Sequence, residues 1–359
     1  MELLSLSEYL DDVKYVAELP LPWEKLNGKS MLITGATGLI GSFLIDVLMY
    51  RNQHYSMSCR IIAVGRNAAR ATERFKHYEN DKTLSFLAHD IQAPFTKEEI
   101  TKADYLLHLA SNTHPVQYAT DPIGTITTNI IGLINILELG ANCGCCRVLF
   151  ASSNEIYGEN RGDQEFFDED YCGYINSNTL RAGYPESKRC GEALCQAYIA
   201  QKGLDVVIAR LTRSYGPTML SSDTKAINQF LKRGIAGEDI VLKSAGNQYY
   251  SYTYMADAVS GLLTVLLCGE KGQAYNIADE ASDIRLKDLA QIIADASGTK
   301  VIFELPDAVE AAGYSKATKA RLDGSKVRGL GWAPKENIES GIRKTLALLG
   351  KTTEVRVYN

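Results

Sequence analysis

The stretch "SMLITGATGLIGSFLID", residues 30–46, decides the fold. A short apolar run leads into Gly35, Gly38 and Gly41, spaced G-x-x-G-x-x-G, and a second apolar run follows. The spacing predicts strand, tight turn and helix in direct succession. Glycines let the chain turn sharply, and they let backbone N–H groups and the helix N-terminus approach a pyrophosphate. A glycine triplet also serves ordinary turns, so its surroundings must settle the reading.

Working outward, apolar β-rich runs stand at "RIIAVG" (60–65), "LSFLAHD" (84–90), "DYLLHLA" (104–110), "RVLFASS" (147–153) and "DVVIARL" (205–211). Helical patterns such as "GLIGSFLIDVLMYR" and "DPIGTITTNIIGLINILELGANCG" lie between them. This alternation predicts an α/β fold, a doubly wound Rossmann-like parallel sheet covered on both faces. The 359 residues exceed what one core usually holds. Residues 1–28 read as an N-terminal helical arm and 29–216 as the dinucleotide-binding domain. After Pro217 the pattern loosens. Residues 217–251 and 279–350, with a helix at about 286–296, are expected to form a smaller C-terminal substrate lobe, with 252–278 returning to the sheet.

Composition narrows the function. With 45% hydrophobic and 23% charged residues the chain is an ordinary globular one, and a net charge of −5 argues against general binding to nucleic acid or an anionic membrane. The first residues, "MELLSLSEYLDDVKYVAELPLPWEKL", lack the basic start and unbroken apolar run of a signal peptide, and no segment is read as a membrane span. Eight cysteines without an export signal suggest reduced thiols and a cytoplasmic location. Cys143, Cys145 and Cys146 have no second pair of ligands in the sequence to complete a tetrahedral set, so no metal is expected.

Several residues carry candidate chemistry. The second strand ends in "AVGRNAARA", with no acid to accept from a ribose; Arg66 faces a 2'-phosphate or is a surface charge. Asp90 is an adenine-side acceptor or a strand-end turn residue. Asp257 reads as a helix cap. Ser153 leaves a buried strand four residues before Tyr157. In "RAGYPESKRCGE" (181–192), Tyr184 and Lys188 share one helix face, where an ammonium would favour phenolate; the plainer alternative is a packed tyrosine and a solvated lysine.

Taken with "HLAS" (108–111), Asn129 in "TTNIIG" and "RSYGP" (213–217), these residues resemble the extended short-chain dehydrogenase/reductase family of nucleotide-sugar epimerases and dehydratases, over residues 29–350. The resemblance implies a tightly bound NAD or NADP held by Gly35, Thr37, Gly38, Leu39, Ile40, Gly41, Arg66, Asp90, Ile91, Ala110, Ser111, Asn129, Tyr184 and Lys188. It implies a nucleotide diphosphate sugar as substrate, touching Ser153, Asn154, Arg213 and Tyr250. Tyr184 would be the base, aided by Lys188 and Ser153, in oxidation at carbon 4. A homodimer through helices at about 122–141 and 184–202 is also implied.

The fate of the keto sugar stays open at this level. Glu155 stands where dehydratases and UDP-glucuronate decarboxylases carry a glutamate, and it either takes the proton from carbon 5 or is salt-bridged. Asn154 replaces the acid that typical dehydratases place there. The helix from Arg181 to Glu192 looks most like that of the decarboxylases, yet Tyr250 replaces their arginine. Dehydration and decarboxylation lead; 4-epimerisation, 4-keto reduction and a noncatalytic cofactor-bound sensor are the alternatives.

Overall fold

The computed structural model describes residues 2–113, 115–304 and 318–357, with Pro306, Ala311 and Tyr314. The remainder of the predicted 279–350 lobe lies outside the described residues. Seven strands form one parallel sheet: β1 Ser30–Thr34, β2 Arg60–Gly65, β3 Leu84–Ala88, β4 Tyr105–His108, β5 Arg147–Ser153, β6 Val206–Leu211 and β10 Ala274–Ile277. Their order is β10-β6-β5-β4-β1-β2-β3, so the direction of winding reverses between β1 and β4. Ligand crevices in such sheets form at that switch point, beyond the carboxyl ends of the strands.

Side-chain alternation explains why both faces are covered. Met31 and Ile33 join one apolar core, where α2 (Leu39–His54) and α8 (Met255–Cys268) lie. Leu32 between them joins the other, with Leu133, Ile136 and Leu137 of α5 (Pro122–Cys143) and Cys195 of α6 (Gly183–Lys202). Asp121 caps α5 by accepting the Gly124 N–H at 3.0 Å, and Gly144 ends it at φ 60°. Contrary to the reading of no spanning segment, α5 is long and apolar enough to cross a membrane by length and composition. In the fold it packs beside α6, with half of its most apolar stretch buried.

The N-terminal arm is built into the first core. Its helix α1 (Ser7–Ala17) packs on α2 and α8; Tyr9 donates to Asp46 at 2.6 Å, and Asp12 accepts from Tyr254 at 2.8 Å.

The later strands make a second, smaller sheet. Here β9 (Tyr249–Tyr254) pairs with β7 (Arg213–Tyr215), β11 (Asp283–Arg285) and β13 (Lys319–Ala320). Of the segment 252–278, α8 packs on the large sheet and β10 extends it beside β6. Tyr252–Tyr254 instead pair with β7, because β9 must run out towards the lobe. A two-stranded piece, β8 (Ile240–Leu242) with β12 (Val301–Phe303), lies beside α7 (Ala226–Ile235) and α9 (Leu286–Ser297). Asp257 does not cap its own helix. Its carboxylate accepts the N–H groups of Lys335 at 2.8 Å and Glu336 at 3.0 Å, tying α8 to the turn before the C-terminal helix. Burial is the main cause that pushes this carboxyl up to about 6.

Candidate active site

A cleft of about 980 Å³ runs from the end of β2, past the glycine turn, to the wall formed by β7 and β9. Its floor is backbone. Gly35 has φ +68°, and a Cβ there would come within 2.9 Å of Ala110 N; a Cβ on Gly41 would meet Gly35 O at 2.5 Å. Thr34 fixes the opposite edge by accepting the N–H groups of Leu109 and Ala110, both at 3.1 Å. With both acceptor positions used, its hydroxyl proton goes to His108 Nδ1 at 3.0 Å. His108 is buried, and burial, with the Lys188 charge behind it, pulls its pKa down to about 3. These contacts tie the end of β1 to the loop after β4, and a side chain at Gly35 or Gly41 would collide with backbone.

Gly35, Thr37, Gly38, Leu39, Ile40, Gly41, Arg66, Asp90, Ile91, Ala110, Ser111, Ser153, Asn154, Glu155, Tyr184, Lys188, Arg213 and Tyr250 all line this one cleft. Asn129 does not reach it. Buried behind Ser111, its amide accepts from the Ser111 hydroxyl at 2.6 Å and donates to Ser187 at 2.8 Å, so it positions α6 against the loop after β4. Asp90 caps a turn by accepting the Gln92 N–H at 3.0 Å. Tyr157 faces away, bonded to Asn276 at 2.5 Å and Arg210 at 2.8 Å. Among the described residues no His, Cys, Asp and Glu group is placed to hold a metal.

Tyr184 is the second residue of α6 and Lys188 follows one turn later; both are buried. The lysine donates to Ala151 O at 2.8 Å, and its Nζ lies 5.9 Å from the Tyr184 ring centre. The sequence suggests an ammonium that favours phenolate, but the structure shows the opposite balance. Burial pushes Tyr184 up to about 12, and the Glu155 charge adds to this; hydrogen bonds with Ser153 and Ser111 and the Arg181 charge pull the other way. Lys188 is itself drawn down to about 8, chiefly by burial. Both groups lose water on burial, and that outweighs the neighbours that favour their charged forms. A further positive charge is needed before Tyr184 ionises near neutrality.

Glu155 is salt-bridged, one of the two readings the sequence leaves open, to a partner the sequence does not name. Arg181 Nη2 reaches both carboxylate oxygens, at 2.8 and 2.7 Å, and its guanidinium lies 4.5 Å from the Tyr118 ring centre. Tyr118, from α4 (Pro115–Thr120), stacks in turn on Tyr184 at 4.9 Å. Arg181 sits three residues before Tyr184, a spacing that could have flagged it; nothing near Tyr118 signals its place. On the lobe side, Lys225 Nζ spans the cleft from Asp223 (3.0 Å) to Thr113 (3.1 Å). The Arg213 guanidinium carbon lies over Tyr250, 3.4 Å from the ring centre, and its Nη1 is buried with no hydrogen-bond partner among the described residues.

Known proteins share this layout. The family described as NAD dependent epimerase/dehydratase matches residues 31–278. UDP-glucuronic acid decarboxylase 1 of Danio rerio is 30% identical over 99% of this chain and 79% of its own length. UDP-glucuronic acid decarboxylase 6 of Arabidopsis thaliana is 29% identical over 90% of this chain and 91% of its own. Among solved structures, UDP-glucose 4-epimerase of Thermotoga maritima superposes with a TM-score of 0.78 at 23% identity, covering 90% of this chain and 99% of that one. A dTDP-glucose 4,6-dehydratase of Streptomyces venezuelae, solved with NAD bound, gives 0.78 at 23% identity over 91% and 98%.

Proposed function

Since the chain belongs to the NAD dependent epimerase/dehydratase family, we propose that it oxidises a nucleotide diphosphate sugar at carbon 4 and that the sugar is a uronate, which then loses carbon dioxide. The observation that carries the oxidation is the buried set of Ser153, Tyr184 and Lys188 at the end of a glycine-floored cleft. The glycine cradle, Ser111 and Lys188 fit a nicotinamide dinucleotide, which supplies a reversible hydride acceptor and a positive charge when bound. Tyr184 takes the proton from the carbon 4 hydroxyl, and Ser153 holds the same oxygen. A 4-keto uronate is a β-keto acid. Its carboxylate leaves as carbon dioxide, the bonding pair passes to the ketone oxygen, and the Tyr184 and Ser153 hydroxyls stabilise the enolate by hydrogen bonds. Carbon 5 then takes a proton from water as the enolate returns to the ketone, and Tyr184 returns its proton to the oxygen while the hydride goes back to carbon 4 from a bound dinucleotide.

Two observations favour decarboxylation over dehydration. Asn154 has no proton to give a leaving hydroxyl, and Glu155 is engaged by Arg181 rather than free to act at carbon 5. The decarboxylase relatives support the same outcome. Glu155 then serves to hold Arg181 and, through Tyr118, the ring of Tyr184. Arg213 forms the pyrophosphate clamp: a buried N–H is rarely left unpaired, and a phosphate oxygen is the acceptor it lacks. Mass spectrometry after incubation with UDP-glucuronate, UDP-glucose and dTDP-glucose tests the reading. Loss of carbon dioxide from the uronate is expected; loss of water from a hexose, or an epimer of unchanged mass, would overturn it.

Two further parts of the reading concern the protein's surroundings. Ile123, Ile126 and Ile131 of α5 are 75%, 37% and 38% exposed beside α6, an apolar face that suits pairing with a second copy. The eight cysteines are all free thiols, which suits a cytoplasmic location.

A further inference from the structure

We infer that the cleft is built for a dinucleotide bearing a 2'-phosphate, that is, NADP rather than NAD. In the sheet order β2 lies next to β1, so its carboxyl end borders the glycine turn on the side where the adenosine ribose of a bound dinucleotide falls. A carboxylate at that end would accept hydrogen bonds from the ribose hydroxyls and repel a 2'-phosphate. Here the chain leaves β2 through Gly65 into Arg66, Asn67, Ala68 and Arg70, all lining the cleft, with no acid among them.

Neither the Arg66 nor the Arg70 guanidinium makes a hydrogen bond or ion pair to a described residue, whereas Arg74, one turn further on, is tied to Asp46. Among the described residues three acids line the cleft, and all are engaged elsewhere: Asp90 caps a turn at the end of the next strand, Glu155 is paired with Arg181, and Asp223 with Lys225. Asn67 caps α3 (Ala68–Phe75) by accepting the Arg70 N–H at 2.8 Å, which sets Arg66 and Arg70 on either side of the helix start. A 2'-phosphate brings about two negative charges into this space, where each guanidinium can offer paired N–H groups. NAD would find no carboxylate on this segment for its ribose hydroxyls, and it would bring no 2'-phosphate for the arginines to meet.

The inference rests on the cleft being a dinucleotide site, and the test separates the two. Purified protein is denatured and any released dinucleotide identified by mass; protein freed of it is then titrated with NADPH and NADH by fluorescence. Expected are a released NADP and binding of NADPH at least about tenfold tighter, the lower end for charge-assisted contacts because both arginines are exposed. Arg66→Ala and Arg70→Ala should erode that preference by weakening NADPH alone, and Arg66→Asp should reverse it. Released NAD, equal or tighter binding of NADH, or equal weakening of both by Arg66→Ala would overturn the inference while leaving the proposed reaction standing. Binding of neither dinucleotide would remove both.

Discussion

The glycine turn and the lobe wall form opposite sides of one cleft, and they are built by different means. At the turn, the contacts that matter are backbone: Gly35 against Ala110 N and Gly41 against Gly35 O, with Thr34 pinning two amides. At the wall, recognition is by side chains. Arg213 and Tyr250 meet because β7 pairs with β9. A backbone cradle depends on a few residues in sequence and allows little variation. A side-chain wall can exchange one cation for another, and here arginine stands at 213 and tyrosine at 250. On the proposed function, the glycine end would set the class of chemistry and the lobe end would select what is acted on.

The most severe break in that division is Tyr184→Phe, which keeps the ring stacked on Tyr118 and removes the ionisable oxygen. Hydride transfer should fall by about a hundredfold to ten-thousandfold with dinucleotide affinity unchanged, as single-turnover absorbance of the reduced cofactor would show. Normal transfer would take the base role from Tyr184.

Arg213→Asn probes the opposite wall. Loss of a charge-assisted contact should weaken nucleotide-sugar binding by about ten- to a hundredfold and leave dinucleotide binding alone, and Tyr250→Arg added to it should restore part of the loss. Calorimetric titration of the four proteins checks both; unaltered affinity would return Arg213 to a structural role.

Glu155→Gln removes the charge partner of Arg181 in a half-enclosed corner. We expect a stability loss of about 1–3 kcal/mol, with carbon dioxide still released at a reduced rate. Accumulation of a 4-keto sugar with reduced cofactor would instead make Glu155 the base that acts at carbon 5.

The last effect is on stability against pH. His108 has its folded pKa drawn down to about 3 by burial, against roughly 6.5 unfolded. Between those values the unfolded chain binds more protons, so stability present above about pH 6.5 is lost as pH falls, by about 2 kcal/mol at pH 5. Asp257, pushed up to about 6, acts with the opposite sign: its folded form binds protons more tightly, so falling pH favours the fold between about 6 and the usual carboxylate range. The difference between wild type and His108→Leu in urea melts at pH 5 and 7 isolates the histidine. Equal pH dependence in both would show that His108 is hydrated.

All six strands expected from apolar runs appear in the sheet, with β10 added at its edge. The reason is local: β-branched and aliphatic runs broken by glycine turns fix strand, turn and helix over about ten residues. The sequence by itself also determined the glycine cradle and the Tyr184 and Lys188 register, because a turn and an i, i+4 spacing are properties of neighbouring residues. Burial and long-range pairing are not. Only the tertiary structure decided that Asn129 stands behind the cleft, that Arg181 holds Glu155, and that Tyr118 covers Tyr184. It also decided that Lys188 spends its hydrogen bond on Ala151 O while the phenol pKa rises, since desolvation depends on everything packed around a group and no spacing along the chain encodes it.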